Sequence, residues 1–191
     1  MAVKPETALA AGDALIVVDV QNDFCPGGRL PIADGDAVIP VLNAWMACAH
    51  EKGLPAYVSR DWHPHGHVSF NERGGPWPPH CVQDSDGAAF HPMLRLPPGA
   101  IHVTKGIRFD KDQYSALNET GLDADLWARD VSRLWIGGLA LDVCVLETAR
   151  HARRCGFEVH VIAEGTRPIT PEGGRDAIAA LRAAGVVVEG A

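Results

Sequence analysis

The sequence predicts a three-layer α/β/α sandwich around a central, mainly parallel sheet of about six strands. Three observations carry this. Short β-branched runs alternate with helical patterns along the chain. The first run, "ALIVVDV" (14–20), is apolar on both faces, as a parallel strand covered on both sides must be. No repeat, low-complexity tract or linker divides the 191 residues, so a single domain, 1–191, is expected. Strands that return through helices to parallel neighbours leave helices on both faces of the sheet.

The elements follow in order. After the first strand, Asp36 offers an N-cap to a helix with Val38, Val41, Leu42 and Trp45 at helical spacing; Pro40 falls in its first turn and Gly53 ends it. "LPAYVSR" (54–60) is a second strand and leads straight into "RDWHPHGHVSF" (60–70). Residues 64–99 are rich in proline and poor in periodicity, which reads as a long ordered loop. Such loops in compact domains usually serve function. "AIHVTK" is a third strand, and a short helix over 122–128 precedes a fourth, "SRLWIGG". "DVCVLETARHARRCG" is helical with Gly156 as terminator, "FEVHVIAEG" is a fifth strand, and a helix over 171–184 leads to the last strand, "VVVEG".

Composition excludes several classes of function. An apolar fraction of 47% with 21% charged residues is that of a globular protein in water. A net charge of −7 without a Lys/Arg stripe argues against a nucleic-acid surface. The N-terminus lacks a signal-peptide layout, and no apolar run approaches the roughly 20 residues that cross a bilayer, so no membrane partner is expected. Five irregularly spaced cysteines without a CxxC pair suit free thiols in a reduced compartment, the cytoplasm by default. A homo-oligomer is compatible with this composition, which carries no signal deciding it.

In open parallel sheets ligands bind beyond the carboxyl ends of the strands. There the first strand delivers Asp19, the second Asp61 and His63, the third Lys105, and the fourth "GGLALDVC" with Cys144 on the first turn of a helix. Packing is the ordinary role of a buried cysteine, as expected for Cys48 and Cys155. Cys144 differs in position: the positive end of a helix is expected to lower a thiol's pKa, and the same turn offers N–H groups to an oxyanion. Asp19 can be a loop anchor, or the base that takes the thiol proton and later passes it to a leaving amine. Lys105 can be solvated, or can position both of those groups.

Asp61 and His63 stand at i and i+2 of an extended segment, so both side chains point to one side. "WPPHC" presents His80 as a third donor, its backbone restricted by two prolines. One carboxylate and two imidazoles suit one divalent ion, zinc first, with iron or manganese as alternatives. On spacing alone, a metal site and a polar histidine-rich loop both stay open. His65 and His67 read as outer or solvent-facing groups, His67 being the better spare ligand; His91 reads as structural.

"IVVDVQNDFCPGG", "RDWHPHGHVSF", "GGPWPPHCVQ", "DQYSAL" and "GLALDVCV", in this order, resemble the nicotinamidases (pyrazinamidases) among the isochorismatase-like cysteine hydrolases. The resemblance runs from about residue 14 to the end of the chain, and the set of motifs is specific. It implies a catalytic triad of Asp19, Lys105 and Cys144, and metal ligands Asp61, His63 and His80. His67 falls at a position that coordinates directly or through water in some members. Phe24 and Trp77 match the aromatic walls of the family's nicotinamide pocket, and Tyr114 matches a tyrosine near its entrance. A cis peptide would join Leu139 to Ala140, with the backbone N–H groups of Ala140 and Cys144 as oxyanion donors. The implied reaction is hydrolysis of nicotinamide, or pyrazinamide, to the acid and ammonia through a thioester, with the metal orienting the substrate rather than attacking it.

Two positions depart from that pattern. Leu141 stands where threonine is usual, and Ala116–Leu117 where Gly-Phe is usual, which is expected to remove an aromatic near the pocket. Three other readings remain in view. The first is a relative acting on an N-carbamoyl compound, another amide or isochorismate, without the metal cluster. The second is a metal-water hydrolase with a structural Cys144, and the third a non-catalytic metal-binding protein.

Overall fold

A computed structural model describes residues 3–190 of the chain. Its centre is β1 (Asp13–Val18), buried at every position. β1 pairs in parallel with β2 (Ala56–Asp61) on one side and β4 (Arg133–Leu139) on the other. With β3 (Ile101–Lys105), β5 (Glu158–Arg167) and β6 (Val187–Glu189) the sheet runs β3-β2-β1-β4-β5-β6, and every pairing is parallel. The expected sandwich is observed, and its sheet of six strands is wholly rather than mainly parallel.

Alternation along β1 divides the core. Leu15 and Val17 face the layer of α2 (Ile39–Glu51), where Leu42, Trp45, Met46 and Ala49 are buried. Ala14, Ile16 and Val18 face the opposite layer of α3 (Leu122–Ala128), α4 (Leu146–Arg154) and α5 (Pro171–Ala183). The strand order reverses direction between β1 and β4, and that switch point is where a crevice opens in such sheets. The two strands approach closely there: a side chain on Gly138, at φ +125°, would run into the carbonyl of Val18.

Two local readings need correction. Asp36 does not cap the second helix; it lies in a 3-10 turn, Gly35–Val38, and α2 begins at Ile39 with Pro40 in its first turn. A short helical turn, α1 (Pro5–Ala8), was not expected; the Lys52 ammonium ties it down by donating to the carbonyls of Glu6 (2.7 Å) and Leu9 (2.6 Å). The long segment between β2 and β3 is ordered as expected. It carries 3-10 turns at Asn71–Arg73 and Asp86–Ala88 and is stitched by bridges between His63 and Val82 and between Phe70 and Trp77. Among the described residues, no helix is long and apolar enough to cross a membrane, and all five cysteines are free.

Candidate active site

The carboxyl ends of β1 to β4 bring Asp19, Asp61, Lys105 and Cys144 together. Asp19 leaves β1 with φ +51°, a left-handed conformation that a non-glycine residue rarely adopts and that turns up at functional sites. Lys105, wholly buried, lies with Nζ 2.7 Å from Asp19 Oδ2 and 2.6 Å from Asp61 Oδ1, and it donates to Cys144 Sγ at 3.5 Å. Of its three N–H bonds, two are directed at Asp61 and Cys144, while Asp19 Oδ2 is held as an ion pair. Carboxylate oxygens of Asp19 and Asp61 and the Cys144 sulfur lie within 4.8 Å of one another. Ser59, two residues before Asp61 on the same face of β2, donates its hydroxyl to Asp19 Oδ1 at 2.7 Å. The alternation of the strand carried that signal.

Burial sets the protonation states. It pushes the Asp19 carboxyl above its ordinary value, although Lys105 opposes it. Asp61 is buried too, but Lys105 and then His63 outweigh the desolvation and hold it well below the usual range. Lys105 is desolvated as well, yet Asp19 and Asp61 keep it charged. The expectation for Cys144 is overturned: burial raises its thiol well above the ordinary value, with Lys105 opposing and the two carboxylates adding to the rise. Cys144 lies inside a π-turn, Leu141–Val145, that precedes α4. Desolvation and two nearby anions outweigh the helix terminus, so the resting group is a thiol.

The metal-type donors meet as the spacing suggested. Ligand atoms of Asp61, His63 and His80 lie within 4.8 Å of one another, and all three residues are buried. His80 arrives through backbone pairing: His63 N–H donates to the Cys81 carbonyl at 2.8 Å, and Gln83 N–H to that of His63 at 2.9 Å. Gln21 fixes the other end, accepting from Asp61 N–H at 2.8 Å and donating to the carbonyls of Asp61 (2.7 Å) and Ala88 (2.8 Å). Asp23 accepts from Cys81 N–H at 2.8 Å.

The donor set fits a divalent ion. His63 Nδ1 faces the Gly106 carbonyl at 2.9 Å, and His80 Nδ1 faces that of Pro78 at 2.7 Å. Each therefore carries its proton on Nδ1 and leaves Nε2 with a lone pair, as a ligating histidine requires. Gly106 is needed at φ +68°, where an added Cβ would sit 2.5 Å from His63 Cε1. Gly106→Ala is expected to displace that imidazole and weaken zinc binding about tenfold or more, read by competition with a chelator.

These donors and the thiol share one pocket. Phe24, Leu30, Ile32, Trp77, Asp112, Tyr114, Val143 and Ile169 complete its lining beside Asp61, His63, His80, Ala140 and Cys144. Phe24 packs on His80 with ring centroids 5.5 Å apart, and the Trp77 indole N–H donates to the Tyr114 hydroxyl at 3.1 Å. The Leu139–Ala140 peptide is cis. His65 is exposed, whereas His67 is buried against His63 with ring centroids 4.2 Å apart. His91 lies outside the pocket and accepts from Met93 N–H at 3.2 Å. Leu141, Ala116 and Leu117 are core residues outside the pocket lining.

Residues 13–191 match the isochorismatase domain. The chain belongs to the isochorismatase family. Within this family it is similar to the nicotinamidase of Acinetobacter baylyi, 38% identical over 182 residues that cover 84% of this chain and 83% of the relative. It is also similar to the pyrazinamidase of Pyrococcus horikoshii in complex with zinc, with TM-score 0.90 and 42% identity over 93% of this chain and 98% of the other. PnC1 of L. infantum in complex with nicotinate superposes with TM-score 0.88 at 34% identity, covering 98% and 96% of the two chains.

Proposed function

We propose that this isochorismatase-family chain is a metal-containing cysteine amidohydrolase that converts nicotinamide to nicotinate and ammonia, and takes pyrazinamide by the same chemistry. The observation that carries the reading is the Lys105 ammonium held between Asp19, Asp61 and Cys144, with Asp61 also belonging to the metal-type cluster. One residue joins the nucleophile to the site that would anchor the ring. The likeness to proteins named nicotinamidase and pyrazinamidase, one holding zinc and one nicotinate, supports the same substrate. The five free thiols suit a cytoplasmic enzyme.

A divalent ion held by Asp61, His63 and His80, zinc first and iron or manganese as alternatives, would supply a Lewis-acid anchor for a pyridine nitrogen. Phe24 and Trp77 flank the ring, and Tyr114 closes the entrance. Asp19 takes the proton of the Cys144 thiol, whose sulfur attacks the carboxamide carbon. The oxyanion is received by the N–H groups of Ala140 and Cys144, each donor worth about 3 kcal/mol. Asp19 returns the proton to nitrogen, the C–N bond breaks and ammonia leaves. Asp19 then takes a proton from water, which adds to the thioester; the C–S bond breaks as Asp19 returns that proton to the sulfur, restoring both the thiol and the carboxylate. Lys105 keeps the two carboxylates in place throughout. The test is ammonia release from nicotinamide by zinc-loaded protein; none from a folded, loaded protein would sink the substrate.

The pH profile follows from Asp19. Its carboxyl must be ionised to accept the thiol proton, and burial raises it above the ordinary 3.8. The acid limb of kcat/KM is therefore expected to lie above pH 3.8, with activity lost as pH falls through it. Metal content measured over the same range separates this limb from protonation of the histidine ligands.

A further inference from the structure

Asp142 has no part in the steps above, yet it stands in the π-turn Leu141–Val145, two residues before Cys144. Its carboxylate ties that turn to another segment. Oδ1 accepts from Ile169 N–H at 2.9 Å, and Oδ2 from Thr170 N–H at 3.4 Å. Those two residues are flanked by Pro168 and Pro171, which have no N–H to give. Asp142 therefore receives every backbone donor that residues 168–171 possess. The segment joins β5 to α5, and Thr170 caps α5 by accepting from Gly173 N–H at 3.0 Å. Gly173 leaves room for the carboxylate, since a Cβ there would run into Asp142 Oδ2. Ile169 in turn lines the pocket, beside Ala140, Val143 and Cys144.

We propose that Asp142 is a positioning residue that holds the Ile169 wall of the pocket in register with the turn carrying the nucleophile. One carboxylate bridges the two segments, and it touches no reacting atom. A segment with two prolines has little else to fix it: without Asp142 its two N–H groups turn to water and the wall is free to draw back. The effect on substrate rests on the nicotinamide reading; the tie itself does not.

The experiment compares wild type with Asp142→Ala, Asp142→Asn, Gly173→Ala, Ile169→Ala and the double variant Asp142→Ala, Ile169→Ala. Amide hydrogen exchange at Ile169, followed by NMR, reads the tie without substrate. It is expected to quicken about tenfold or more in Asp142→Ala. In Asp142→Asn it should stay near wild type, because the amide oxygen can still accept from Ile169 N–H. Ammonia release from nicotinamide by zinc-loaded protein reads the consequence. KM is expected to rise about tenfold in Asp142→Ala, with kcat lowered less than about threefold, and to recover in Asp142→Asn. Ile169→Ala should raise KM by about the same factor, and the double variant should show that one rise rather than the product of two. Gly173→Ala reaches the carboxylate from the other side. Alanine is the better helix former, so a merely structural role predicts no loss, whereas a displaced carboxylate raises KM. This variant decides the question if Asp142→Ala does not fold. Unchanged exchange at Ile169, an unchanged KM in Asp142→Ala, or a KM raised about a hundredfold in the double variant would each overturn the proposal. A wild type that releases no ammonia would overturn the nicotinamide reading and the KM effect with it, while exchange at Ile169 still upholds or overturns the tie.

Discussion

Cys144→Ala is expected to lower kcat/KM for nicotinamide by about 10⁴-fold or more, because no other group can form the thioester. The Cys144 sulfur is the third partner of the Lys105 ammonium, at 3.5 Å, and it is not among Asp61, His63 and His80. Zinc content should therefore stay at the wild-type level while ammonia release disappears. That pair of readings separates two chemistries. If water activated by the metal made the attack, the loaded variant would keep its activity, and the thiol would be a packing residue. The raised thiol pKa sharpens the test. A resting thiol needs a base at the moment of attack, so Asp19→Asn should approach the same loss with the sulfur still present.

Much of this site was legible because strand ends are legible. Asp19, Asp61 and Lys105 each stand at the end of an expected strand, and a parallel sheet aligns such ends whatever the loops between them do. Asp61 and His63 could be paired by the period of two alone. His80 could be nominated from its prolines, but its arrival depends on backbone bonds between His63, Cys81 and Gln83 that no spacing encodes. Ser59 was readable in principle from its place two residues before Asp61. Leu30, Ile32 and Ile169 were not, since apolar residues in loops carry no mark of the pocket they line. The pKa of Cys144 departs from the local expectation for a related reason. A helix terminus is a local feature, whereas burial beside two carboxylates is assembled from the ends of two other strands. The same locality explains Asp36, a good capping residue on its own, which the 3-10 turn before Pro40 leaves two residues ahead of the Val38 N-cap.

Lys105→Met is expected to destabilise the metal-free protein by about 3–5 kcal/mol, the range for breaking a buried ion pair by removing one partner. Methionine matches the length of the stem and offers no donor. Asp19 and Asp61, 0% and 4% exposed, would then face each other without the cation that lies 2.7 and 2.6 Å from them. Like charges at that range cannot both persist, so one carboxyl must take up a proton or the crevice must open. Urea unfolding of chelator-treated protein gives the loss directly. The double variant Asp19→Asn, Lys105→Met removes one of the two repelling anions and should recover part of the stability, a coupling expected of groups in one network. It should recover no activity, because the base is gone. Stability restored without turnover would place the cost in the trapped carboxylates; a double variant no more stable than Lys105→Met would place it in lost packing around the lysine stem.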